Sequence, residues 1–301
     1  MKIVITGASG FIGRQLYNQA WEGHEVIGTY NTTPTDGLVK CDCMNFNEIL
    51  EVTKGTDIVF MLATKSFGVG IMAAHPESLV RDNIIMNVNT LEACRINGVK
   101  RVIYLSSSTV YQEAYKKLEE TDLDLNKDPY KTYLGVAWVK RYTEKLIQFY
   151  NTFGITSCIL RPTYVYGPND KLGAGSHFLP AIIQRIMNAT DTVTVWGNGH
   201  AQKNCIYIDD MISAMNSVAF DTNTDTYNIC SNSVYSIREI VNKIIDISEK
   251  YISISYDISK PEAIPFRDLS RKKFDSRYGK LNETSINTGI ENTIEWIKYL
   301  C

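Results

Sequence analysis

The chain is poor in histidine and proline, has no charge of one sign to spare and has no long hydrophobic run. Its 301 residues include 4 histidines and 8 prolines, and 31 Lys+Arg stand against 33 Asp+Glu, a formal net charge of -2. With a pI near 6.1 there is no basic footprint, so no nucleic-acid partner is expected. The short run Arg271-Lys272-Lys273 reads as a solvated helix face. No apolar stretch reaches the roughly 20 residues of a membrane span, so no membrane association is expected. Met1 leads almost directly into a strand, which leaves no room for a signal peptide. The 7 cysteines are odd in number without paired spacing, which argues against a disulfide framework. Cys41 and Cys43 have no histidine nearby, so no metal site is expected. These absences give the expectation of a cytoplasmic, reduced protein.

The signal that is present concentrates at the start. Lys2-Ile3-Val4-Ile5 reads as a buried strand, residues 6–13 as a glycine-rich turn, residues 14–21 as an amphipathic helix, and residues 25–30 as a second strand. Glycines at 7, 10 and 13 then acquire separate tasks. Gly7 makes the tight turn, Gly10 lets a pyrophosphate approach the backbone, and Gly13 lets helix and strand pack closely. Ser9, Phe11 and Ile12 complete this candidate dinucleotide loop. The strand–turn–helix context gives the glycine pattern its weight.

Alternating signals continue. Residues 39–42 read as a strand end, 45–53 as a helix, 57–63 as a strand and 76–97 as a long helix. Residues 101–105 read as a strand, 131–153 as a second long helix and 157–160 as a strand. Apolar strands alternating with helices imply an α/β fold, a Rossmann-type parallel sheet with helices on both faces. Ligands of such a sheet bind at the carboxyl ends of its strands. Leu62, Ala63, Lys65, Ser107, Thr109, Pro162 and Thr163 fall there. After Gly167-Pro168 the character changes. We expect residues 1–167 to form the dinucleotide-binding domain, and residues 168–301 a smaller substrate lobe interleaved with it.

The motifs resemble the extended short-chain dehydrogenase/reductase family of nucleotide-sugar epimerases, dehydratases and reductases, over nearly the whole chain. The matching segments are Thr6 to Gly13, Ser106-Ser107-Ser108-Thr109-Val110-Tyr111, Arg161-Pro162-Thr163-Tyr164-Val165-Tyr166-Gly167-Pro168, Trp196-Gly197-Asn198-Gly199 and Ile208-Asp209-Asp210. Within the family the likeness is greatest to GDP-L-fucose synthases and GDP-mannose 3,5-epimerases. It rests on Ala63-Thr64-Lys65-Ser66-Phe67-Gly68 and Ser176-His177-Phe178-Leu179-Pro180-Ala181.

The resemblance implies hydride transfer between a nicotinamide and a sugar carbon. It implies that Asp42 bonds adenine, that Lys140 binds the nicotinamide ribose, that Ser107 holds the reacting oxygen, and that His177 is the acid of an epimerisation step. It also implies a homodimer built on the helices at 76–97 and 131–153. Three positions depart from the pattern. Val136 stands where the family has the tyrosine that exchanges the hydroxyl proton, four residues before Lys140. Thr109 stands in place of a cysteine, and Tyr164 in place of an asparagine that contacts substrate. Three readings of Val136 remain open. In the first, the enzyme uses another group, either Tyr133 or Ser107 and Thr109 relaying through water. In the second, an engineered replacement traps a substrate complex. In the third, the protein binds nucleotide and sugar without turnover.

Strand two ends in Tyr30-Asn31-Thr32-Thr33, without the acid that bonds both ribose hydroxyls in NAD-specific proteins. NADP(H) is therefore preferred, with NAD(H) an alternative. Lys203, Arg267 and Arg185 are candidate cations for a nucleoside diphosphate, and a GDP-sugar is favoured by the resemblance. The expected activity is reduction or oxidation at C4 of a 4-keto-6-deoxy sugar. The alternatives are an epimerase using Ser107 and His177, or a catalytically disabled binding protein.

Overall fold

The computed structural model describes residues 1–260 and 263–300. Strand β1 (Lys2–Thr6) is followed by α1 (Phe11–Tyr17), β2 (Glu25–Tyr30), β3 (Val39–Lys40), α2 (Phe46–Val52) and β4 (Ile58–Met61). Then come α3 (Val69–Ala74), α4 (Arg81–Ile96), β5 (Arg101–Leu105), α5 (Leu134–Tyr150) and β6 (Thr156–Pro162). The chain continues through β7 (Tyr164–Tyr166), α6 (Phe178–Asn188), β8 (Thr192–Trp196), β9 (Gln202–Tyr207), α7 (Ile208–Ala219) and β10 (Asp225–Ile229). The last segments are β11 (Val234–Ser236), α8 (Ile237–Ile247), β12 (Ser253–Asp257), β13 (Phe266–Arg267), α9 (Lys272–Tyr278) and α10 (Ile286–Leu300).

Seven strands form one parallel sheet in the order β10-β6-β5-β4-β1-β2-β3. This is the α/β, Rossmann-type architecture expected from the alternation. The chain winds outward from β1 through β2 and β3, then returns to the other side of β1 with β4. The carboxyl ends of β1 and β4 therefore flank the switch point where such sheets bind ligands. The side-chain period of two sorts the core onto two faces. Val4, Val59, Val102 and Tyr104 pack against Leu91 and Ile147 of α4 and α5. Ile3, Ile5, Phe60 and Ile103 face the opposite layer, with Met211 and Met215 of α7.

After residue 167 the chain returns to the sheet, where β10 closes one edge beside β6. Outside this sheet, β9 carries β11, β13 and β7, while β8 pairs with β12.

Three helix limits differ from the sequence pattern. The first helix spans Phe11–Tyr17 with Gly10 as its N-cap, not residues 14–21. Trp21 lies beyond it, edge-on to Phe60 at 5.9 Å, so its apolarity serves a loop contact rather than a helix face. The expected helix at 76–97 begins as a separate turn at Pro76–Leu79 and resumes as α4. The helix expected at 131–153 is α5, with a single turn at each end.

Candidate functional site

The glycine turn is held by geometry that side chains would break. Gly7 has φ +70, and a Cβ on it would lie 2.8 Å from Ala63 Cα. A Cβ on Gly13 would lie 2.2 Å from the Gly7 carbonyl oxygen, so α1 can sit this close to β1 only with glycine there. The Thr6 hydroxyl donates to Phe60 O at 3.1 Å and accepts from the Leu62 and Ala63 N–H groups at 3.1 and 3.2 Å, which ties the β4 tip to β1. The Ser9 N–H donates to Thr29 O. Gly10 offers no side-chain cap to α1. The first-turn amides, among them those of Phe11 and Ile12, have no intrahelical partner and are free for an anion.

At the far end of the crevice, Tyr30 closes β2. The Asn31 amide donates to Asp42 Oδ1 at 3.4 Å, and the Met44 N–H donates to the same oxygen at 2.9 Å. These bonds fix Asp42, the residue expected at adenine, between the buried Cys41 and Cys43. Lys40 is the register partner of Tyr30.

The candidate catalytic corner lies at the tips of β5 and β6. The Lys140 ammonium donates to Leu105 O at 2.7 Å and lies 4.8 Å from the centre of the Tyr104 ring. Burial pulls this lysine down to about 8, against a smaller opposing pull from Glu144. One turn on, Glu144 is buried and pairs with Arg161 at 2.7 Å, and it also accepts from Ser106 Oγ at 2.5 Å. This pair locks α5 to the ends of β5 and β6. Ser107 is left half-buried beside it, its Oγ accepting from the Thr109 N–H at 3.1 Å.

Val136 stands one turn before Lys140, on the rim of an apolar groove of about 750 Å³ with Met72, Pro76, Val80 and Leu134. The phenols nearby differ from the missing one. The Tyr104 hydroxyl is buried and burial pushes its pKa up. Tyr133 is pushed up to about 12 by burial, its hydroxyl beside the Ile264 backbone and the Arg267 guanidinium.

The expected substrate residues Lys65 and His177 lie on two loops. After β4, Asn83 braces the first, accepting from the Lys65 N–H at 2.8 Å and donating to Lys65 O at 3.1 Å. The Lys65 ammonium pairs with Asp82. The second runs from β7 to α6 and touches the first through the Gly68 N–H, which donates to Gly175 O at 3.0 Å. There His177 lies between two side chains, with Nδ1 3.1 Å from Asp170 Oδ1 and Nε2 3.2 Å from Ser66 Oγ. The Tyr164 ring stands edge-on to it, with the phenol oxygen accepting from the Leu179 N–H.

Of the candidate cations, Arg267 is buried and donates to the carbonyls of Tyr111 and Gln112, so it ties β13 to the segment after β5. Lys203 donates to Ile264 O at 2.8 Å. Arg185 is exposed, 5.2 Å from the Trp196 ring centre, on a cleft of about 590 Å³ between α6 and β8. On the crevice side, Thr163 is buried after Pro162, its Oγ1 donating to Asn204 at 2.9 Å.

Asp170 and Ser66 were not singled out from the sequence. Asp170 follows Gly167-Pro168-Asn169 and precedes His177 by seven residues, a spacing with no local signature. Ser66 is 111 residues from His177.

With this geometry in place, the likenesses are specific. Residues 3–230 match the profile of a family described as the NAD dependent epimerase/dehydratase family. GDP-mannose 3,5-epimerase of Arabidopsis thaliana is 29% identical over 99% of this chain and 82% of that protein. GDP-L-fucose synthase of Escherichia coli (strain K12) is 25% identical over 98% of this chain and 96% of that protein. In fold, UDP-glucose 4-epimerase of Thermotoga maritima, solved with UDP-glucose, superposes with a TM-score of 0.90 at 20% identity, covering 100% of this chain and 99% of that one. The enzyme of the same name from Thermus thermophilus, solved with NAD, gives 0.86 at 20% identity, with 99% of each chain covered.

Proposed function

The chain belongs to the NAD dependent epimerase/dehydratase family, and from that premise we propose that it is a nicotinamide-dependent oxidoreductase of a nucleoside-diphosphate sugar. In this reading it moves hydride to C4 of a 4-keto-6-deoxyhexose. The observation that carries it is the Lys140 ammonium held on Leu105 O, two residues before Ser107 at the carboxyl end of β5, in a sheet whose glycine turn only an unsubstituted backbone can make.

The residues fit a dinucleotide. The turn at Gly7, with the first-turn amides of α1, is a cradle for pyrophosphate. Asp42 is poised for adenine. Tyr30 and Asn31 present no carboxylate to a 2′-phosphate and Lys40 is Tyr30's neighbour in register, so NADP(H) is the preferred form and NAD(H) the alternative. The bound dinucleotide supplies the hydride. Lys140 grips the nicotinamide ribose, and Ser107 donates a hydrogen bond to the sugar oxygen that becomes an alkoxide. With valine at 136, the proton comes from the Lys140 ammonium through Ser107 or water, because burial brings that ammonium to about 8. Tyr133, at about 12, is a poorer donor near neutral pH.

Arg185, on the cleft between α6 and β8, is the cation best exposed to a diphosphate. The names of the relatives favour a guanine nucleotide. The buried thiols of Cys41, Cys43, Cys94, Cys158, Cys205 and Cys230 are free, which fits the reducing cytoplasm.

The second reading is an epimerase. The likeness to GDP-mannose 3,5-epimerase and the partnered His177 favour it.

Incubation with NADPH and GDP-4-keto-6-deoxymannose tests the proposal, with loss of nicotinamide absorbance as the readout. The parent should turn over, and Val136→Tyr should gain on the order of 10²-fold by restoring a positioned acid. Deuterium entering C3 or C5 from solvent without net oxidation of NADPH would favour epimerisation. Neither signal, with both ligands bound, would leave a binding protein.

A further inference from the structure

The Asp170, His177 and Ser66 side chains form one hydrogen-bonded line that no sequence motif announces. Asp170 ends the turn after β7, with its side chain 1% exposed and its Oδ1 accepting from the Lys171 N–H at 2.7 Å. Asn169 takes φ 70, a left-handed conformation tolerated by asparagine. The backbone thus turns sharply before Asp170. The imidazole Nδ1 lies 3.1 and 3.3 Å from the two carboxylate oxygens. A carboxylate accepts only, so Nδ1 carries the hydrogen and Nε2 keeps its lone pair. That lone pair faces Ser66 Oγ on the loop after β4.

We propose that Asp170 is a positioning residue that fixes the tautomer and direction of His177, so that Nε2 and the Ser66 hydroxyl together exchange protons at the sugar. The carboxylate fixes which nitrogen is basic, as an orienting acid does for any hydrogen-bonded imidazole. When Nε2 takes a proton from solvent, to which the His177 side chain is 26% exposed, the resulting imidazolium donates from Nδ1 to Asp170 and from Nε2 to Ser66 Oγ or to a substrate oxygen. Asp170 stays a carboxylate throughout. The proton on Nε2 then leaves for the sugar, which restores the neutral ring. Two loops supply this line, and the contacts of Gly68 with Gly175 and Ser176 keep them in register: a Cβ on Gly68 would lie 2.2 Å from Ser176 O.

The catalytic part of this inference rests on the nucleotide-sugar reading, whereas the tautomer does not. The chain has only 4 histidines, so ¹⁵N-labelled protein gives a resolvable set of imidazole correlations, with His177→Asn identifying the relevant one. The neutral wild-type ring should show the Nδ1–H tautomer. Asp170→Asn, whose amide can donate to Nδ1, should shift it toward Nε2–H. On a substrate that the enzyme epimerises, the same variant should lose on the order of 10²- to 10⁴-fold in kcat with KM little changed. An Nε2–H tautomer in the wild-type protein would overturn the proposal with no variant needed. So would an Asp170→Asn protein with unaltered tautomer and kcat. If no nucleotide sugar turns over but the tautomer is as stated, the positioning stands and the enzymatic reading fails.

Discussion

At the scale of single residues, the largest share of the proposed chemistry falls to Lys140, a part-buried lysine. Its ammonium has one fixed acceptor, Leu105 O, and a ring face below, which leaves donors for a ribose. Burial lowers it from the usual lysine range to about 8. An unfolded lysine titrates near 10.4, so between these values the unfolded chain holds a proton that the folded chain has lost. This group's contribution therefore favours folding more as pH rises through that window, and opposes it most below about 8. Dinucleotide binding runs the other way, because deprotonation removes a charged donor. The dissociation constant for NADPH should rise as pH passes about 8, as read by nicotinamide fluorescence, and Lys140→Met should flatten that rise. A wild-type constant that is flat across this range would separate the ammonium from the cofactor.

At the scale of elements, the joint between β1 and α1 sets the crevice. Gly13→Ala would drive a Cβ to 2.2 Å from Gly7 O, which only a displacement of α1 relieves. Overpacking of this kind destabilises by about 1–3 kcal/mol. Thermal unfolding should move down accordingly, and dinucleotide binding should be lost before the fold is. Retained affinity in a destabilised Gly13→Ala protein would mean that the turn does not hold the pyrophosphate.

This joint was legible in the sequence because its constraints are local: three glycines between an apolar strand and a helix. The first six strands of the sheet were legible because a sheet covered on both faces demands continuous apolar runs; β10, with Asp225, Thr226 and Asn228 among its five residues, carries no such run and was not read. The helix ends were not, since caps and breaks such as those at Gly10 and Val80 depend on partners outside the helix. The resemblance marked Ser107, Lys140 and His177, but the sequence was silent on what orients them. Glu144 with Arg161, and Asp170 with Ser66, join segments brought together only by the sheet order and the second lobe.

At the scale of the molecule, α5 carries an apolar face without a cover. Trp138, Tyr142, Phe149 and Phe153 are 39%, 51%, 55% and 52% exposed along it and the turn beyond it. Beside them lies the groove that α5 shares with Pro76 and Val80. Four large side chains in one stripe mark an interface more readily than a solvated surface. We expect a homodimer through α4 and α5, seen by light scattering. The double change Trp138→Glu and Tyr142→Glu should give monomers, and a monomeric parent would remove the expectation.

The central claim is that the strand tips hold a nicotinamide dinucleotide beside Lys140, and calorimetric titration with NADPH and NADH measures it most directly. The account predicts saturable binding at one site per chain, tighter for NADPH, and at least tenfold weaker in Lys140→Met, which is about 1.4 kcal/mol or more. Absence of binding by the folded wild-type protein, or equal affinity in the Lys140→Met variant, would contradict it.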